Sequence, residues 1–200
     1  DAAVEALITS LVPKNTKLLI AENGVYGERI RKIATTFRID NDQIKSDWID
    51  AINLASLEKA IATKKYSHLA LVHHETTTGR LNKLNKIQDI CEKFNCKILL
   101  DAVSSFGAED IIFKNNVMAG VAATANKCLH GVPGVSFVIA NKKILLNEED
   151  PKRSIYLNLY DYFSAQEHKT TPYTQSVQCM YALNEALNAL ESLSLIEKYD

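Results

Sequence analysis

No run of apolar residues in these 200 positions approaches the length that a membrane-spanning helix needs. No basic stretch followed by an apolar core opens the chain as a secretion signal would. Neither sign of charge is in excess. The 23 Lys and Arg against 24 Asp and Glu leave a net charge of −1, which removes the electrostatic case for nucleic acid or an anionic membrane as a partner. Cysteine is scarce. The four (Cys91, Cys96, Cys128, Cys179) show no paired CxxC spacing of the zinc type, and Cys91 and Cys96 sit in CEKFNC, a helix end leading into a strand. They are expected to be reduced, mostly buried thiols of a cytoplasmic protein. Internal repeats, low-complexity tracts and clear linkers are absent as well. What remains, 46% hydrophobic and 24% charged, is the usage of one large soluble domain with a sizeable core.

The recurring feature is alternation of segment type. Segment 2–12 has the spacing of a helix, as do YGERIRKIATTF (26–37), LASLEKAIATKK (54–65) and KLNKIQDICEKF (83–94). Between them lie short apolar runs: KLLIAE (17–22), HLALVHH (68–74), CKILLDAV (96–103), VMAGVAAT (117–124) and VSFVIA (135–140). Runs apolar at every position belong to strands buried on both faces. With helices as crossovers, they imply an α/β three-layer sandwich around a mostly parallel sheet. The loop between the last two runs, carrying Gly131, Pro133 and Gly134, is too short for a crossover, so VSFVIA is expected to return antiparallel. Downstream come a charged stretch (NEEDPKR), an irregular Tyr-rich segment (155–163) and a helix over about 174–190. The chain opens directly on a helix and closes on LIEKYD just after a long one, so a domain cut at both ends is expected.

Open α/β sheets bind ligands at the carboxyl ends of their strands. Those ends here read NGVYGER, HETTTG, DAVSSFG and ANKCLHG: small, hydroxylated, acidic and basic groups, with glycines where backbone approaches something closely. Lys127 stands between two apolar segments. Taken alone it would be a strand-end lysine whose ammonium reaches water; desolvated, its amine becomes a nucleophile suited to a Schiff base. Asp101 ends KILLD. It is either a cap for the next turn or a buried carboxylate in need of a cation, such as a protonated pyridine nitrogen. His73 and His74, adjacent on a strand, point to opposite sides, and no HExxH spacing occurs, so no metal site is expected. Thr76, Thr77 and Thr78 offer hydroxyls either to a helix start or to a ligand oxygen. Tyr26, at a helix start, is either core or a platform for a flat ring. NGVYGER lacks the GKS or GKT of a nucleotide phosphate loop.

Together, the Asp of DAVSSFG, the Lys of TANKCLHGVPG and the upstream words NGVYGER and HETTTG resemble the class V, fold type I aminotransferases that use pyridoxal 5'-phosphate. Nearly the whole chain takes part, and the combination is specific where each word alone is not. The closest match of words is to the members acting on 2-aminoethylphosphonate and pyruvate. The alanine–glyoxylate and serine–pyruvate branch shares the layout with a poorer match. A cysteine desulfurase would need a reactive cysteine on a loop, and Cys128 beside the lysine is misplaced for that.

The resemblance implies roles for particular residues. Lys127 corresponds to the lysine that carries the cofactor, and Asp101 to the acid on its ring nitrogen. Val103 and Tyr26 correspond to the residues against the two faces of the ring. Thr76 corresponds to a hydroxyl that hydrogen-bonds the cofactor, and Asn126 to a polar residue near its phosphate. Thr170, in KTTPYTQ, corresponds to a threonine reaching the phosphate of the neighbouring subunit, which implies a homodimer with shared sites. The substrates implied are a small-molecule amine and a keto acid. Residues 1–200 are expected to be the large cofactor domain, without the start of the phosphate loop and without the small C-terminal domain whose arginine grips the substrate. Asp1 falls at or next to the loop's last position; if it is the native residue there, its carboxylate would repel a phosphate and only its backbone N–H would help. A non-catalytic use of the same fold is the alternative of a different class.

Overall fold

The computed structural model describes residues 1–63, 65–114 and 116–192. The chain order begins α1 (Ala2–Leu11), β1 (Lys17–Glu22), α2 (Val25–Thr36), β2 (Asn41–Lys45), α3 (Leu54–Ala62) and β3 (Tyr66–Val72). A small hairpin, β4 (His74–Glu75) and β5 (Arg80–Leu81), precedes α4 (Leu84–Lys93), β6 (Lys97–Asp101) and β7 (Met118–Thr124). The chain continues through β8 (Ser136–Ala140), α5 (Lys142–Asn147), α6 (Leu159–Glu167) and α7 (Val177–Ser192). The closing LIEKYD lies outside the described residues, as does position 64 near the expected end of α3.

Six strands form one sheet in the order β2-β1-β3-β6-β7-β8. The first five are mutually parallel, and β8 returns antiparallel to β7, as the short connection requires. The interior strands send side chains alternately to two cores. Leu18, Ile20, Ala70, Val72 and Leu99 meet α1 and α2 on one face. Leu19, Ala21, Leu69, Leu71, Ile98 and Leu100 meet α3 and α4 on the other. Each face has a helical cover, which is why these runs are apolar at every position. The small residues of β7 have a specific use. A Cβ on Gly120 would lie 2.6 Å from Leu7 Cδ1 and 2.9 Å from Leu11 Cδ1, so α1 seats directly on this strand.

Five elements were absent from the sequence reading: the short β4, β5 and α5, and the longer β2 and α6. The strand β2 is polar (NDQIK) and half-exposed. It is an edge held by parallel pairing with β1 rather than by burial, so apolar periodicity does not mark it. The Tyr-rich segment expected to be irregular contains the start of α6. Asn158 caps that helix by accepting the Tyr160 N–H at 2.9 Å, and Ser10 Oγ accepts the Leu159 N–H at 3.0 Å. Capping and contact with α1 form this helix, although none of its residues is fully buried. Cys91 and Cys96 are buried, Cys128 and Cys179 partly so, and no disulfide joins them.

Candidate active site

The parallel strands end along one edge of the sheet, and the singled-out residues other than Thr170 stand at or just beyond those ends. Asp101 is the last residue of β6, paired with Val72 of β3 on one side and Ala122 of β7 on the other. Its side chain is buried, and Oδ1 accepts the Val103 N–H at 3.0 Å. Burial pushes its pKa up to about 6; the Val103 N–H works against that rise, the Glu75 charge adds to it, and Arg29 opposes it. A buried carboxyl with one amide donor and no ion pair among the described residues is a group that a cation would complete.

Lys127 lies just beyond β7, the strand beside Asp101. The loop that carries it is folded tightly on itself. Ala125 N–H donates to Val135 O at 3.0 Å, Gly131 N–H to Ala125 O at 2.8 Å, and His130 N–H to Lys127 O at 2.9 Å. Flanked by buried Ala125 and Leu129, Lys127 is itself exposed, and its ammonium forms no ion pair among the described residues. Asn126 beside it is exposed, and its Oδ1 accepts the Thr124 hydroxyl at 2.8 Å.

Tyr26 occupies the first turn of α2, directly after β1, and is half-buried against the α1–α2 core that Val103 also borders. The Arg29 guanidinium sits over its ring, 4.9 Å from the centroid. Arg29 also takes up the Asp1 carboxylate, so the negative charge at that position is locally compensated. Thr76 is exposed in the turn between β4 and β5. Thr170 is in the exposed turn after α6, where its N–H donates to Ala165 O at 2.9 Å; the hydrogen bonds that knit the strand ends together do not include it.

Sequence reasoning missed the groups beneath this edge. Glu75 is fully buried and accepts the Tyr26 N–H at 3.0 Å, the Gly27 N–H at 3.3 Å and the Thr77 hydroxyl at 2.7 Å. His73 and His74 take different partners. His73 Nδ1 meets Ser105 Oγ at 2.9 Å, and His74 Nδ1 meets Ser104 O at 3.3 Å. Burial lowers the His73 pKa to about 4, with the neighbouring His74 adding to the shift, so the ring is neutral. Asn23 and Asn82 exchange amide hydrogen bonds at 3.0 and 3.3 Å, tying the end of β1 to the segment leading into α4. The only sequence signal for Glu75 was an acid at the end of an apolar strand, ahead of three threonines.

Chemically, the edge presents an accessible amine, a buried carboxyl lacking a cation, an aromatic platform and a set of hydroxyls and amides. That donor set fits a flat, cationic heteroaromatic aldehyde carrying an anionic group. Pyridoxal phosphate is such a molecule.

The helix–sheet–helix architecture is that of the fold type I aminotransferases. The Nostoc sp. alanine–glyoxylate aminotransferase superposes with a TM-score of 0.87 at 27% identity, over 99% of this chain and 54% of that one. The Mesorhizobium loti pyridoxamine–pyruvate aminotransferase shares the fold with a TM-score of 0.88 at 22% identity, over 99% of this chain and 52% of that one. The aminotransferase class-V family model matches residues 2–198, and the chain belongs to that family. Among curated relatives, the 2-aminoethylphosphonate–pyruvate transaminases of Bacillus thuringiensis (strain Al Hakam) and Bacillus cereus (strain AH820) are each 36% identical over 192 residues. The match covers 94% of this chain and 53% of each relative, so the chain spans about half their length.

Proposed function

We propose that the protein carrying this chain is a pyridoxal-phosphate-dependent aminotransferase that moves the amino group of 2-aminoethylphosphonate to pyruvate, giving phosphonoacetaldehyde and alanine. One observation carries the reading: adjacent parallel strands bring a buried, cation-lacking Asp101 and an exposed Lys127 to the same edge. The choice of donor is supported by the curated relatives. The match to the Nostoc enzyme favours an alanine–glyoxylate activity as the second reading.

Pyridoxal phosphate, when bound, supplies an aldehyde that accepts amines and a ring that takes up electron density from the substrate carbon. The Lys127 Nζ would hold it covalently. The Asp101 carboxylate would keep a proton on the ring nitrogen, the Tyr26 ring and Val103 would bracket the ring, and Thr76 and Asn126 would bond its polar edges. The Lys127 amine would also be the base that lifts the proton from the substrate carbon and later returns one. Thr170, in the exposed turn after α6, would serve the neighbouring subunit's phosphate, and the assembly would then be a homodimer. Exposed Ile155, Tyr156, Val177, Met180 and Tyr181 support such an interface. Residues 1–200 then form the large cofactor domain, with the substrate arginine supplied elsewhere.

The test is borohydride reduction of the protein after incubation with pyridoxal phosphate, followed by peptide mass spectrometry. A pyridoxyl group on Lys127, absent from Lys127→Ala, is the expected result; no adduct overturns the reading. Amino-group transfer to pyruvate from 2-aminoethylphosphonate, against transfer from serine, and from alanine to glyoxylate, then identifies the donor.

A further inference from the structure

The first turn of α2 needs hydrogen-bond acceptors for its amides, and its N-cap residue cannot supply one. Gly24 holds that position and has no side chain. Its backbone is extended, a conformation open to any residue, so glycine is required here for space rather than for its dihedral freedom. A Cβ on Gly24 would lie 2.2 Å from Glu75 Cγ and 2.3 Å from Glu75 Cδ. Into that space comes the Glu75 carboxylate, from a hairpin 49 residues beyond Tyr26. Its Oε2 accepts the Tyr26 N–H at 3.0 Å and the Gly27 N–H at 3.3 Å, the two amides a side-chain cap normally serves. Its Oε1 accepts the Thr77 hydroxyl at 2.7 Å and the Thr77 N–H at 3.4 Å. Both oxygens face donors only, the arrangement that suits an ionised carboxylate at a helix N-terminus.

We propose that Glu75 is a positioning residue that fixes Tyr26 and Thr76 relative to each other, through the backbone of α2 and the turn it shares with Thr77. Thr76 is the residue between Glu75 and Thr77, and both of its neighbours are pinned by the same carboxylate. Tyr26 carries the amide that this carboxylate holds. One buried side chain thus sets the separation of an aromatic platform and a hydroxyl that arise on different strand ends. The same charge also bears on Asp101, whose ionisation it opposes. The proposal rests on the pyridoxal phosphate reading of the edge; Glu75 touches no ligand and acts through Tyr26 and Thr76.

The test uses the full protein that carries this chain, with pyridoxal phosphate as the probe. Glu75→Ala should weaken cofactor affinity at least tenfold by visible-absorbance titration. It should collapse the induced circular dichroism of the cofactor band and speed amide exchange at Tyr26 and Gly27. Glu75→Gln keeps one acceptor oxygen and should recover part of each loss. Gly24→Ala, which leaves the carboxylate in the sequence but fills its space, should reproduce the defect; it decides the matter if Glu75→Ala does not fold. Unchanged affinity and dichroism in these variants overturn the proposal, as does weakened affinity without faster exchange at the two amides. A wild-type protein that binds no pyridoxal phosphate removes the functional reading instead, whereas equal binding by wild type and variants removes Glu75 alone.

Discussion

Replacing Asp101 with Asn preserves the side chain's shape and an oxygen to accept the Val103 N–H, and removes only the ionisable group. In the folded apoprotein, burial raises the Asp101 pKa from 3.8 to about 6. The folded value lies above the unfolded one, so the native state holds the proton more tightly. The stability this contributes is fully present below about pH 4 and is lost as pH rises through about 6. The separation corresponds to about 3 kcal/mol. Asp101→Asn has no charge to bury and escapes the loss. Urea unfolding of wild type and variant without cofactor should give a stability difference that grows by about 3 kcal/mol in the variant's favour between about pH 4 and pH 7, then levels off. The amide NH₂ adds a constant offset and leaves that pH dependence untouched. A difference flat across the range refutes the reasoning. So does one growing in the other direction, because either result means that Asp101 does not meet its charge alone. With pyridoxal phosphate bound, a cation on the ring nitrogen should reverse the order and leave wild type the more stable.

His68 gives the opposite slope. Burial lowers its pKa to about 4, with the Lys97 charge adding to the effect, and its Nε2 has no hydrogen-bond partner among the described residues. The unfolded chain therefore binds the proton more tightly, and about 3 kcal/mol of stability is lost as pH falls from about 6.5 toward 4. His68→Asn, which retains a polar atom for Ser67, should narrow the gap between urea midpoints measured at neutral pH and at about pH 4.5; an unchanged gap contradicts the assignment. His73 acts in the same direction, so some acid lability should persist. Gly120→Ala should destabilise by about 1–3 kcal/mol in thermal or chemical unfolding, because the new methyl enters the space of Leu7 and Leu11; equal or greater stability would show that α1 can yield.

Most of the fold was legible because its interior strands are buried on both faces. Runs such as KLLIAE and KILLD are apolar at successive positions, and only a sheet covered by helices on both sides uses such runs. The return of β8 followed from the length of the loop before it. β2 and α6 were not legible, because pairing to an edge and capping hold them in place without an apolar stripe. In the site, Asp101 and Lys127 stood out as ionisable residues where apolar runs end. Glu75 did not, although it is at least as deeply buried as Asp101, because its partners are backbone amides of a helix far away in sequence.

Local sequence therefore settled which segments are the buried strands, that helices cover both faces of their sheet, and which residues stand at the ends of those strands; these follow from periodicity and from the reach of short loops. It also carried the words that mark the aminotransferase class-V family. Folding added the order of the strands, which sets Asp101 beside the strand leading to Lys127. It also assigned the solvent exposure of Lys127, which the buried segments on either side of it obscure. The reason for Gly24 was likewise unreadable along the chain: it leaves room for a carboxylate that reaches the turn only once β1 and β3 lie side by side. Hydrogen bonds across such distances obey no sequence period, so they become visible only in the assembled sheet.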